Sequence, residues 1–241
     1  MGEVWSARDT RLDRIVAIKI CKARFSQRFH REARAIAALN HPHICTLYDV
    51  GPNYLVMEYV EGGNMRELFN KEDPILVDRV WDILLDMARA LEHVHDSGFM
   101  HLDYKPENIL ITRNGQVRLI DFDLAMKRPD KPKKLWKYAG TPAYMAPEQL
   151  RHKEVDHRAD IFAYGVAAYE LLTRRRPFVG DTSEQVVQRQ LDRAHGFISP
   201  RQHNPDLSVG MEKVIVKCLE PNPDERYPFM SVLIRDLQAA P

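Results

Sequence analysis

His101-Leu-Asp-Tyr-Lys-Pro-Glu-Asn108 crowds an aspartate, a lysine and an asparagine into one short loop, directly ahead of the apolar run Ile109–Thr112. A second run, Val117–Asp121, follows Arg113-Asn-Gly-Gln116, in which Asn114-Gly115 is the strongest short hairpin signal. That run ends on Asp121-Phe-Asp123. Asn108 and Asp121 are thus expected at adjacent strand ends. Two oxygen donors there suit Mg²⁺, which favours carboxylates plus substrate phosphates over an all-protein cage. Lys105 adds positive charge for a phosphate, and Asp103 is a candidate to orient a hydroxyl or accept its proton.

Toward the N-terminus, Arg14–Cys21 (RIVAIKIC) is β-branched and apolar between a turn-like Asp9–Asp13 and polar Lys22–Arg24, and reads as a strand. Lys19 lies inside it, where a lysine needs an anion to offset its burial. Glu32 is an available partner, on a helix predicted over Ser26–Leu39 from the spacing of Phe29, Ala33, Ile36, Ala37 and Leu39. Ser26 is available as its N-cap, and Asn40-His-Pro ends it. Leu47–Val50 and Tyr54–Glu58 read as strands around the turn Gly51-Pro-Asn53, and Glu61-Gly-Gly-Asn64 breaks the pattern.

Beyond that break the chain reads as mainly helical, with helices predicted over Val77–His95, Asp156–Thr173, Ser183–Leu191, Met211–Leu219 and Phe229–Leu237. Asp156–Thr173 is apolar nearly all round, the signature of a buried central helix. The fold class is therefore α+β and bilobal: a small antiparallel-sheet lobe with one helix, a boundary near Gly62-Gly63 and a larger, mainly helical lobe. The cleft between the lobes is the default ligand site.

Composition narrows the function classes. The 241 residues carry 35 Lys+Arg against 34 Asp+Glu, a formal charge of +1, with 44% hydrophobic and 29% charged residues. This balance argues against a strongly basic nucleic-acid binder and against an acidic disordered tail. No apolar run is long enough to span a membrane, and the first residues lack a signal-peptide core. Cys21, Cys45 and Cys218 are odd in number and widely spaced, with no CxxC, which suits a reducing, cytoplasmic setting and small buried hydrophobes. His41/His43 and His93/His95 are too close in sequence for the i,i+4 metal pair on a helix.

In this order, the motifs resemble those of the eukaryotic-type protein kinase family, over nearly the whole chain. Val16-Ala-Ile-Lys19 resembles the family's lysine strand, and Glu32 the partner on its C helix. Met57-Glu-Tyr-Val60 is similar to the hinge, with Met57 as gatekeeper. His101-x-Asp103-x-Lys105-x-x-Asn108 resembles the catalytic loop, Asp121-Phe the metal-binding turn and Ala146-Pro-Glu148 the segment that closes the activation loop. Asp160 resembles the central-helix aspartate that braces the catalytic loop, and Arg226 the arginine paired with Glu148. Lys105 two residues after Asp103, with Thr141 in Gly140-Thr-Pro-Ala-Tyr144, resembles the serine/threonine branch, and the overall style is similar to bacterial enzymes.

The resemblance implies a kinase domain over residues 1–241, divided at 1–62 and 63–241, that uses ATP with Mg²⁺ or Mn²⁺ on Ser/Thr hydroxyls of protein substrates. It implies Asp103, Lys105 and Lys19 as catalytic residues, Asn108 and Asp121 as metal ligands, and Thr141, Glu148, Asp160 and Arg226 as structural ones. Around the nucleotide it implies Gly2, Val4, Ala17 and Leu110 at the phosphates and adenine, backbone groups of Glu58 and Val60 at the adenine edge, and Asn64 at the ribose.

Four departures qualify this. Gly2 and Val4 match only the end of the family's glycine loop, so the first strand and two glycines are missing; a clipped start and a reduced phosphate lid both explain this. Leu102 replaces the catalytic-loop arginine that pairs with an activation-loop phosphate, and between Asp121 and Glu148 the only Ser or Thr is Thr141. Loop phosphorylation is therefore not expected to be the switch. Asp123 replaces the glycine after Asp121-Phe, where a φ above zero is expected, and adds a carboxylate beside the metal site. Lys127–Lys137 (KRPDKPKKLWK) is a basic run, solvated or facing an acidic substrate or partner. The alternative to an enzyme is a pseudokinase or regulatory binding module on the same scaffold.

Overall fold

Four strands, Glu3–Asp9 (β1), Arg14–Ile20 (β2), Leu47–Val50 (β3) and Tyr54–Glu58 (β4), pair antiparallel in the order β1-β2-β4-β3. The computed structural model describes residues 3–21, 26–135, 140–192 and 197–240. Gly2 and residues 136–137 of the basic run lie outside them. Strand β1 was not anticipated: its side chains are mostly exposed, so it lacks an alternating pattern, and it is held by its ladder to β2 from Glu3↔Ile20 to Asp9↔Arg14. The expected turn between them is built by Asp9, whose Oδ1 accepts from the N–H groups of Arg11 and Leu12 at 3.1 and 3.3 Å.

Helix α1, Ser26–Ala37, follows and buries Phe29, Ala33 and Ile36 on one face, as the spacing predicts, whereas Ala37 is exposed. After it, Leu119 N–H donates to His43 O at 2.8 Å and Cys45 N–H to Leu119 O at 3.0 Å. These two bonds tie the chain leaving α1 to the hairpin that ends at Asp121, so the helix bearing Glu32 and the turn bearing Asp121 share one frame.

The Gly62-Gly63 segment is a strand rather than a break. Gly62–Asn64 (β5) pairs with Ile109–Thr112 (β7), and β7 pairs with Val117–Leu119 (β8). A Cβ on Gly62 would lie 2.0 Å from the Ile111 carbonyl oxygen, so glycine is what lets the two backbones approach. Between β5 and β7 come Met65–Asn70 (α2), Ile75–Asp78 (α3), Val80–Asp96 (α4) and the short strand Phe99–Met100 (β6). The single helix predicted over Val77–His95 is thus two helices. Arg79 leaves helical geometry at φ −120° between them, seated against Gly115 of the hairpin turn, where a Cβ would lie 2.8 Å from its Cγ.

The remaining elements are Met126–Lys127 (β9), Lys133–Lys134 (β10), Pro147–Leu150 (α5), Glu154–Val155 (β11), Arg158–Thr173 (α6), Ser183–Leu191 (α7), Pro200–His203 (α8), Val209–Cys218 (α9) and Met230–Gln238 (α10). Helix α6 is buried over almost its full length, against α4 on one side and α9 on another. It is the centre of the core from which the polar loops project. Among the described residues, no helix is long and apolar enough to cross a membrane.

Candidate active site

Strand β2 sets Lys19 opposite Val4 on one side and Leu55 on the other, in the middle of the sheet. Its side chain is only 12% exposed, and its Nζ lies 2.7 Å from Glu32 Oε1, 3.0 Å from Asp121 Oδ1 and 3.3 Å from Asp123 Oδ1. Burial works against the ammonium charge, but the three carboxylates outweigh it and hold Lys19 above the ordinary lysine range. Burial and a hydrogen bond to Asp123 push Glu32 up to about 8, although Lys19 pulls the other way. Glu32 Oε2 is buried and receives no donor. Asp123 moves in the opposite direction: burial would raise it, but the bond from Glu32 and the charge on Lys19 hold it below the usual carboxylate range.

The φ expected above zero at position 123 falls elsewhere. Asp121, at +63°, and Leu102, at +61°, take the left-handed conformation, and Asp123 does not. An aspartate is therefore accommodated at 123 without backbone strain.

Leu102 is buried, and its backbone turns toward the N-terminus of α6. Asp160 there accepts from the N–H groups of His101 and Leu102, each at 2.8 Å, and lies 2.9 Å from His95 Nε2. Burial would raise Asp160, but His95 and these N–H groups keep it below the carboxylate range. The brace expected at Asp160 is therefore a fully buried anion with three partners. The sequence names His95 only as half of a pair with His93 too close for a helical metal site, and its place on an apolar helix face is what marks its role here.

With the loop so held, Asp103 Oδ2 receives Lys105 Nζ at 2.8 Å and Asn108 Nδ2 at 3.0 Å, while Asn108 Nδ2 also donates to Asp103 O at 2.8 Å. Lys105 Nζ lies 3.3 Å from Thr141 Oγ1, so the loop touches the segment before Ala146. Asn108 commits its amide nitrogen to Asp103 and leaves its oxygen as a donor atom for a ligand.

Val4 is 62% exposed on β1, and Ala17 and Met57 are cross-strand partners, both half-buried. Leu110, half-buried on β7, pairs with Asn64. Glu58 spends its N–H on Thr46 O at 2.8 Å and its side chain on Arg118 at 2.9 Å. Val60 follows it, half-buried. Asn64 caps α2: its Oδ1 accepts from Glu67 N–H at 2.9 Å, and Glu67 returns a bond to Asn64 N–H. Only its amide nitrogen is left for the expected sugar contact.

Arg226 and Glu148 meet in a two-fold bond at 2.7 and 2.8 Å, over the ring of Phe162. A second polar cluster went unread. Arg66 binds Glu170 at 2.7 Å, Glu107 at 3.0 Å and the Tyr144 hydroxyl. Its partners lie far away in sequence, and no local spacing announces them. In the basic run, Lys133 and Lys134 are exposed and pair with β11.

The chain matches the protein kinase domain family over residues 1–237. It is 37% identical to a probable serine/threonine-protein kinase of Streptomyces coelicolor, over 99% of this chain and 38% of that protein. It is similarly 37% and 36% identical to the serine/threonine-protein kinases PknB of Mycolicibacterium smegmatis and Mycobacterium tuberculosis, over 98% of this chain and 40% of each. The chain thus spans about two-fifths of the length of the curated relatives it matches.

Proposed function

Because the chain belongs to the protein kinase domain family, we propose that it transfers the γ-phosphate of ATP to serine or threonine hydroxyls of protein substrates. The observation that carries this reading is Asp103, held by Lys105 and Asn108 at 2.8 and 3.0 Å, in a loop whose Asn108 O accepts from the N–H of Ile120, the residue before the Asp121 that meets Lys19. Asp103 orients the acceptor hydroxyl and takes its proton. Lys105, between Asp103 and Thr141, meets the charge that develops on the transferring phosphoryl group. Lys19 leaves its carboxylates for the α- and β-phosphates, with Glu32 setting its direction.

Asp121 and Asn108 fit a hard divalent ion. Asp121 is one-third exposed with a carboxylate oxygen beyond the one on Lys19, and Asn108 has its amide oxygen free of Asp103. Mg²⁺, or Mn²⁺ in its place, neutralises phosphate oxygens when bound. Ala17, Val4, Met57 and Leu110 provide the apolar walls for adenine, the backbone of Glu58 and Val60 its polar edge, and Gly2 an approach to the phosphates. The lobes divide at residues 1–62 and 63–241. Glu148 with Arg226, and Asp160, hold the substrate and catalytic loops.

Serine or threonine is favoured over tyrosine by the Lys105–Thr141 contact and by the names of the relatives. The exposed lysines of β10 suit an acidic substrate or partner. Three free thiols suit a cytoplasmic setting. The test is transfer of labelled γ-phosphate from ATP·Mg²⁺ to a generic protein acceptor, with Asp103→Asn as control. Transfer that is absent, or unaffected by Asp103→Asn, rejects this reading in favour of a binding scaffold.

A further inference from the structure

Helix α2 sends one side chain into the junction of three other segments. Arg66 Nε lies 3.0 Å from Glu107 Oε1, in the catalytic loop one residue before Asn108, and its Nη1 lies 2.7 Å from Glu170 Oε1 on α6. Its Nη2 reaches the Tyr144 hydroxyl and, at 3.1 Å, Glu170 Oε2; that hydroxyl donates to the same Glu170 oxygen at 2.6 Å. All three nitrogens of the guanidinium are thus engaged within the chain.

The two carboxylates stand beside the place given to the acceptor. Glu107 neighbours Asn108, which bonds Asp103 at 3.0 Å, and Tyr144 lines one small cavity with Asp103 and Thr141. A Cβ on Gly140, four residues before Tyr144, would lie 3.7 Å from Asp103 Oδ1. The cluster also opens to solvent, since Arg66 and Glu170 line a surface cavity with Phe69, Asn70 and Arg174. Glu107 Oε2 is buried and receives no donor, so this pair of acids has acceptor capacity to spare.

Stripped of the guanidinium, the junction would hold two carboxylates close to Asp103, one of them only 6% exposed. Carboxylates so placed select an arginine, because a charge-assisted, forked pair is among the strongest polar contacts a partly desolvated site makes. Here the chain supplies that guanidinium itself. A substrate cation arriving at the same place has to displace an intramolecular partner, whose effective concentration a free peptide does not match.

We propose that Arg66 is a specificity-determining residue: it fills the Glu107–Glu170 site from inside the chain and so removes a preference for basic residues next to the acceptor hydroxyl. This rests on the kinase reading above, and the binding arm of its test does not. It agrees in sign with exposed Lys133 and Lys134, which favour an acidic substrate.

The experiment compares the chain with Arg66→Gln, which keeps an amide donor for Glu170 or Tyr144 but removes the charge. The substrates are peptides with one serine in a neutral sequence and a single arginine moved through the positions on either side. Each kcat/KM is divided by that of the arginine-free peptide, so a general loss of activity cancels, and affinities are read in parallel by fluorescence anisotropy. The parent's ratios are expected to stay within about twofold of one, and Arg66→Gln to raise the ratio about tenfold at one or two positions, in affinity as in kcat/KM. Adding Glu170→Gln to Arg66→Gln is expected to abolish that gain. A parent that already prefers arginine about tenfold overturns the proposal. Ratios in Arg66→Gln that match the parent's, with every peptide used less well, overturn it too and leave Arg66 only a structural tie. A gain that survives Glu170→Gln lies at another site and equally overturns it. Arginine-selective binding gained by a chain that transfers no phosphate sustains the assignment of Arg66 and counts against the kinase reading alone. Should Arg66→Gln fail to fold, Arg66→Lys, which cannot fork between the two carboxylates, serves the same comparison, with a gain of about fivefold expected and its absence overturning the proposal.

Discussion

Arg226 and Glu148, 78 residues apart, are joined by two parallel bonds at 2.7 and 2.8 Å, with side chains 0% and 7% exposed. Arg226 also donates to the carbonyls of Glu220, Arg158 and Pro221. It therefore pins the segment after α9 to the start of α6 and to α5. Arg226→Ala strands a buried carboxylate and is expected to cost about 3–5 kcal/mol of stability in urea unfolding. Replacing both residues by methionine is expected to recover much of that loss. A cost below about 1 kcal/mol for the single variant would mean that water reaches Glu148.

Asp103→Asn keeps the bond partners of the loop but removes the proton acceptor. The expected effect is a fall in kcat of about a hundredfold or more with KM for ATP little changed. Lys19→Met acts on the phosphates instead and is expected to cost a similar factor. Steady-state kinetics on one peptide substrate separate the two; a Lys19→Met enzyme of near-normal kcat/KM contradicts the role given to that lysine.

Phosphatase treatment is expected to leave the rate unchanged, because Leu102 cannot pair with a phosphate and no Ser or Thr lies between Asp121 and Thr141. The measurement is initial rate before and after treatment, with mass spectrometry confirming removal of phosphate. Dependence on a phosphate between Met126 and Tyr138 would sink this expectation.

His41 ties stability to pH. Burial, with His43, His93 and Arg89 around it, pushes His41 down to about 4. It stacks on His93, and neighbouring His43 lies 3.1 Å from Asp86. In the unfolded chain a histidine takes up its proton near pH 6.5, so between 6.5 and about 4 the unfolded state binds more protons. The contribution is fully present above 6.5 and is lost as pH falls through that window. Urea midpoints from pH 7.5 to 4.5 are expected to slope less steeply in His41→Gln; identical slopes would assign the pH dependence to other groups.

Exposed Lys133 and Lys134, with Lys127, Arg128 and Lys131 nearby, give the segment ahead of Ala146-Pro-Glu148 a basic edge. Phosphorylation of an acidic peptide is expected to slow as salt rises from 50 to 500 mM, on the order of several-fold, and to do so less after Lys133→Glu/Lys134→Glu. A rate indifferent to ionic strength removes the steering role.

Much of this protein was legible in the chain alone, where the information is local. Asn114-Gly115 announces the hairpin that sets Asn108 and Asp121 at neighbouring strand ends, and the all-round apolar stretch announces α6. Lys19 in an apolar strand demanded a carboxylate, and Glu32 supplies it. Turn chemistry and periodicity act over a few residues, so they survive in sequence.

What went unread depended on pairing across distance. Strand β1 has no apolar face of its own and exists by its ladder to β2; Arg79 interrupts a helix at the point where a glycine turn from elsewhere in the chain packs on it. Arg66 finds Glu170 104 positions away. From sequence, Asp123 was an extra carboxylate beside a metal site with an awkward φ. The folded chain gives it an ordinary backbone and sets its carboxylate 3.3 Å from Lys19 Nζ. The residue types of the cleft are written in the order of the motifs, but the direction of each charge is settled only when strand, helix and turn close on one another, because electrostatic and hydrogen-bond energies depend on separations that the spacing of residues along a chain does not carry.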